Sequence, residues 1–92
     1  MSVSTWNGPI GVGRNGSDRP VLSKREIEVV SAWLRSESKH EVCQALFLAV
    51  GTINTHVARV RIKYASVGRP APTKAALLAR FLQDGLLRIE DL

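Results

Sequence analysis

The sequence predicts an all-α fold, a compact four-helix domain behind a flexible N-terminal tail, and three observations carry that prediction. Hydrophobic residues make up 45% of the chain, yet only five are aromatic (Trp6, Trp33, Phe47, Tyr64 and Phe81), which suits aliphatic helix packing better than an aromatic-rich β core. Helix-start signals stand at Ser23, Ser38 and Thr73. Apolar residues after each of them recur at helical, not alternating, spacing. The length of 92 residues suffices for one domain with a small core and leaves no room for a second.

Residues 1–20 hold Gly8, Gly11, Gly13 and Gly16 among Ser, Asn and Pro, with no period of either kind, and read as a flexible tail or linker in which Trp6 is solvated. The domain proper spans 21–88, and 89–92 form a short C-terminal tail. Ser23-Lys24-Arg25-Glu26 has the spacing of a capping box and opens a first helix over 24–35, with Ile27, Val30 and Leu34 on one face, Trp33 beside them and Val29 widening the stripe. Ser38-Lys39-His40-Glu41 repeats that spacing and opens a helix of about two turns that turns Val42, Cys43 and Leu46 inward. After a short turn a third helix is expected over 52–65. At about 100° per residue Ile53, Val57, Val60 and Tyr64 fall in one narrow stripe, which leaves Asn54, Thr55, Ala58, Arg59, Arg61 and Ile62 outward and His56 and Lys63 on a flank. Pro70 and Pro72 break the pattern. Thr73 caps a fourth helix that Gly85 stops, and its apolar residues, among them Leu77, Leu78, Phe81 and Leu82, cover an arc of about 200°. That width exceeds what one core requires and predicts a self-association face on Ala75, Leu78, Ala79 and Leu82. Leu86 and Leu87 are expected to pack, and the chain to fray after them.

The net charge of +5 is unevenly placed. Between Glu41 and Asp84 there is no acid, while Arg59, Arg61, Lys63, Arg69, Lys74 and Arg80 all fall there. Such a segment attracts polyanions, nucleic acid or an anionic membrane surface. The outward arc of the third helix combines hydrogen-bonding side chains, bases and the small Ala58. Solvated helix faces ordinarily mix Glu with Lys and Arg, and the missing Glu favours nucleic acid. One cysteine excludes an intrachain disulfide and points to a reducing compartment. No apolar run approaches the roughly 18 residues of a membrane span, and the start lacks a signal-peptide pattern, so a cytoplasmic protein without membrane contact is expected.

Two short helices, a tight turn and a basic third helix make a helix-turn-helix, whose last helix enters the DNA major groove. Leu22-Ser23-Lys24-Arg25-Glu26-Ile27-Glu28-Val29-Val30 resembles the L-(S/T)-x-R-E-x-E-V-L opening of the LuxR/NarL/FixJ-type DNA-binding domain. Phe47-Leu48-Ala49-Val50-Gly51-Thr52-Ile53-Asn54-Thr55-His56-Val57 is similar to that family's F-L-S-x-G-T-V-K-T-H-(L/V) recognition segment. The resemblance runs from Leu22 to about Leu87. It implies a C-terminal effector domain that binds promoter DNA as a homodimer through the fourth helix, in transcription regulation, with RNA polymerase as a further partner. Such domains usually follow a receiver or an autoinducer-binding domain, and the output half of a two-component response regulator is the expected role. On this reading Thr52, His56, Arg59, Lys63 and Lys74 contact phosphates, while Asn54, Thr55, Ala58 and Arg61 face base edges. Glu26 falls on a family Glu that buttresses the scaffold.

This chain departs from the family pattern in places. Asn54 stands where Lys is common, exchanging a charged donor for an amide able to pair bidentately with adenine. Ala49 replaces a capping Ser, a loss of about 1 kcal/mol. Ser36 replaces a Gly after the first helix, which implies a looser or strained turn. Lys63-Tyr64-Ala65-Ser66 replaces the usual Lys-Leu-Gly-Val.

Catalytic chemistry finds no support. Cys43, His40 and His56 are too few for a structural zinc site, and Cys43 reads as a core residue. Glu26 and Glu28, two residues apart on a helix, point to different faces. No phosphate-cradling glycine motif is present. Neither an enzyme, nor a metal, nor a cofactor is expected. The competing reading is a helical protein-interaction module that uses its basic face and the fourth helix. A structured-RNA binder is a weaker third, since no aromatic residue lies on the outward arc to stack bases.

Overall fold

The computed structural model describes residues 19–92. The tail assigned to residues 1–20 therefore lies outside the described residues apart from its last two, as does Trp6. The described chain contains α1 (Lys24–Arg35), α2 (Lys39–Leu46), α3 (Val50–Ser66) and α4 (Lys74–Gln83), followed by one 3-10 turn (Ile89–Asp91). It is an all-α, four-helix fold. The last residues close in that turn, where fraying was expected, because Arg88 N–H donates to Asp91 Oδ2 and Asp91 N–H to Arg88 C=O.

The first cap forms as its spacing predicts. Glu26 N–H donates to Ser23 Oγ (3.0 Å) and Ser23 N–H to Glu26 Oε1 (2.8 Å), which satisfies two of the orphan donors of a helix start. The second box does not form. Ser38 Oγ accepts from His40 N–H (3.1 Å), and Glu41 turns back to accept from Ser36 Oγ (2.9 Å) instead of returning to the Ser38 backbone. Ser36 itself shows no strain. Its φ of −109° lies in the extended region open to any residue, so this turn does not need glycine. Thr73 caps α4 by accepting from Ala76 N–H (3.0 Å).

Three helices end alike. Leu48 N–H reaches back to Cys43 C=O, Arg69 N–H to Tyr64 C=O and Leu86 N–H to Phe81 C=O, and in each case the residue before the donor is left-handed. Gly68 and Gly85 fill that position after α3 and α4; after α2 it is Phe47, at φ 56°. A side chain in that conformation costs about 1 kcal/mol relative to glycine.

The core lies where α1, α3 and α4 meet. Val29, Val30, Ile53, Val60, Tyr64, Leu77 and Phe81 are fully buried, joined by Trp33, Leu34, Val42 and Val57. The whole predicted α3 stripe is buried, while Ile27 sits half-buried at the edge of the α1 face. The rings of Tyr64 and Phe81 pack at 6.3 Å, tilted by 44°. Cys43 and Leu46 are partly buried against this core, and Leu87 packs while Leu86 packs in part.

Two buried carboxylates tie the helices together. Glu26 on α1 accepts from Lys63 Nζ on α3 at 2.7 Å. Asp84, just past α4, takes both ends of the Arg69 guanidinium (2.8 and 3.1 Å) and the Tyr64 hydroxyl (2.8 Å). Burial alone would push both carboxyls up. For Glu26 the Lys63 ammonium and the Ser23 cap outweigh it, and for Asp84 Arg69 and Tyr64 do, so both stay below the usual carboxylate range. Tyr64 shows the reverse, its hydroxyl pushed well up by burial and by the Asp84 charge it donates to.

Candidate nucleic-acid interface

The candidate site is the outer surface of α2, the turn after it and α3. α3 begins at Val50, two residues before its expected start, because Ala49 adopts the extended N-cap conformation and its carbonyl accepts from Thr52 and Ile53 N–H. Ala49 offers no side-chain acceptor, so the first turn keeps its partial positive charge facing solvent. Gly51 lies in that turn, and a Cβ built on it meets no atom within 4 Å.

Along the outward face Thr52, Asn54, Thr55, Ala58, Arg59 and Ile62 are exposed, with no acid among them. Thr55 Oγ1 donates to Gly51 C=O (2.9 Å), which leaves the hydroxyl oxygen as an acceptor toward solvent. Asn54 Oδ1 accepts from Lys39 Nζ at 2.6 Å. Arg59 makes no ion pair among the described residues and carries a free positive charge on this face.

The remaining expected contacts sit differently. His56 and Arg61 are half-buried on opposite flanks of α3, with His56 Nδ1 and Arg61 Nε buried and without a hydrogen-bond partner. Arg61 borders a shallow cavity with Ile62, Ala65, Pro70, Ala71 and Pro72, beside the α3–α4 connection. Lys63 is turned inward to Glu26. Lys74 donates to Ser36 C=O (2.6 Å), and its ammonium lies 5.0 Å from the Trp33 ring centroid, closing the end of α1 against the start of α4. Arg69 is held by Asp84 and Gln83. Arg80 donates to Pro70 C=O and Gln83 Oε1, so four of the six charges in the acid-free segment are bonded within the fold and, among the described residues, only Arg59 and Arg61 are not.

Two features escaped the sequence reading. Lys39 reaches the outward face from α2, a contact that only the docking of the two helices creates. Phe47, 93% exposed in its left-handed turn, stands at the α2–α3 corner, and nothing in its residue type signals that conformation. On α4, Ala75 and Ala79 are exposed while Leu78 and Leu82 are half-buried, so the apolar arc is only partly covered by the chain's own core.

A short two-turn helix packed against a longer one after a tight turn, with an acid-free outward face, is the arrangement of a helix-turn-helix protein. Residues 20–67, more than half of the chain, match the family model GerE, bacterial regulatory proteins, luxR family, and the chain belongs to that family. It is accordingly a DNA-binding domain of transcription regulation, in a family of regulators and not of enzymes. No curated protein and no solved structure matches the chain. Among the described residues no helix is long and apolar enough to cross a membrane.

Proposed function

We propose that the domain recognises a specific promoter sequence as a homodimer, with α3 in the major groove, as the output half of a two-component response regulator. The observation that carries this reading is the outward face of α3, where hydrogen-bonding side chains and Arg59 stand on a helix start with no cap and no acid. Thr52, Arg59 and His56 hold the helix on phosphates. Asn54, Thr55 and Ala58 face bases, and exposed Ile62, four residues beyond Ala58, suits a thymine methyl. Lys63 and Lys74 are left out of this set because their ammonium groups are bonded inside the fold, while Arg61, half-buried like His56 and without an internal partner among the described residues, stays as a candidate for a base edge. Self-association through Ala75, Leu78, Ala79 and Leu82 is supported by the partly uncovered arc of α4, and it would set the two recognition helices on the half-sites of a pseudo-palindromic sequence.

The test is an amide NMR titration of the labelled chain with a short random-sequence duplex, at low and then higher salt. Shifts concentrated over residues 50–63 that shrink with salt support the reading. If those amides stay still and only residues 73–87 respond, and only to protein concentration, the helical protein-interaction module replaces it.

A further inference from the structure

Lys39 opens α2, and its ammonium donates to Asn54 Oδ1 across the α2–α3 junction. Both side chains lie on the exposed face. Among the described residues no carboxylate is within ion-pair distance of Lys39, and its other neighbour is the Trp33 ring, 5.9 Å from the centroid. The consequence falls on Asn54. A lone amide is ambivalent: its oxygen accepts and its NH2 donates, and the two together match adenine. Beside an ammonium that ambivalence is lost. Flipping the amide would set NH2 against NH3+, donor against donor, so the oxygen stays toward α2 and the NH2 is the end offered to a ligand. The ammonium keeps two further N–H groups. The pair therefore presents chiefly donors, beside the acid-free outward face of α3, and the base edge that offers two acceptors is that of guanine, O6 with N7.

We propose that Lys39 is a positioning residue that fixes Asn54 as a donor, and that the two side chains together read a guanine where the amide alone would pair with adenine. The proposal rests on α3 lying in the major groove. A phosphate oxygen offers the same acceptor chemistry, and the experiment separates the two.

The full chain and its K39M, K39R, N54A and K39M/N54A variants are each used to select from a pool of random-sequence duplexes, and the enriched sequences are compared column by column. The wild type is expected to enrich guanine at one position of each half-site. K39M loses that preference by about tenfold and drifts toward adenine with the other columns intact, K39R keeps it, and the double variant falls no further than either single one. In the free protein the Asn54 side-chain NH2 resonances shift in K39M and hold in K39R. If K39M instead weakens binding to all sequences alike, with a salt slope shallower by about one, Lys39 is a phosphate contact and the proposal is overturned. It is equally overturned if every column of the wild-type motif survives in K39M. A wild type that enriches no motif at all refutes the major-groove reading itself, and that outcome differs from both of the others.

Discussion

At its C-terminal end α3 is fastened to the domain by Lys63 on Glu26 and by Tyr64 on Asp84, and it closes on Gly68 in a left-handed turn that glycine adopts without strain. At its N-terminal end the same helix starts on Ala49, which caps nothing, after Phe47 has been forced into that conformation. Charged side chains lock one end into the fold; at the other no side chain caps the helix start, and its polar side chains stand on the exposed face. The difference separates what holds the domain together from what it offers to a ligand. A helix end that forgoes a cap worth about 1 kcal/mol keeps its N–H groups for an anion.

If that division is real, changes at the two ends should differ in kind, and the largest effect belongs to the closed end. Asp84→Asn strips Arg69 of its counter-charge in a site only 18% exposed at the arginine, and is expected to lower stability by about 3 kcal/mol in urea unfolding. Acid should act on the same end. Asp84 and Glu26 are held below their ordinary values of 3.8 and 4.5, so the unfolded chain binds their protons first. The stability they supply is complete above about pH 5 and drains away as pH falls through their lowered folded values. Glu26→Gln should flatten the upper part of that decline in a pH series of unfolding curves. At the open end Ala49→Ser is expected to raise stability by about 1 kcal/mol, and a loss there would show that the helix start is already satisfied. Phe47→Gly relieves the left-handed turn but loosens the unfolded chain, for a net gain of about 0.5 kcal/mol by thermal melting. Arg59→Ala should move stability least, by under about 0.5 kcal/mol, while weakening DNA of any sequence nearly alike and reducing the salt slope by about one; an unchanged slope removes Arg59 from the phosphate contacts.

The sequence made the helices legible because their signals are local. The Ser23 box, the Thr73 cap and the spacing of Ile53, Val57, Val60 and Tyr64 all act within a few residues, and the structure reproduces them. The destination of each cation was not legible. Lys63, Lys74 and Arg69 look alike in a count of charges, yet their partners lie 37, 38 and 15 residues away, and only tertiary docking selects which bases face solvent. The second capping box failed for a related reason. Its Glu41 had a competing donor in Ser36 Oγ, which the spacing rule does not weigh. The distinction between Asn54 alone and Asn54 beside Lys39 belongs to the same class.

Gly51 sits on this open end with empty space around it. A methyl group placed there touches no other part of the protein, and on an ordinary helical backbone Gly51→Ala is expected to stabilise the free domain by up to about 1 kcal/mol. Gly51→Ala is therefore a ruler with its zero set by the free domain. On the proposed major-groove reading, whatever affinity it removes measures how closely the DNA backbone approaches the first turn of α3, since the added methyl meets no neighbour in the scaffold.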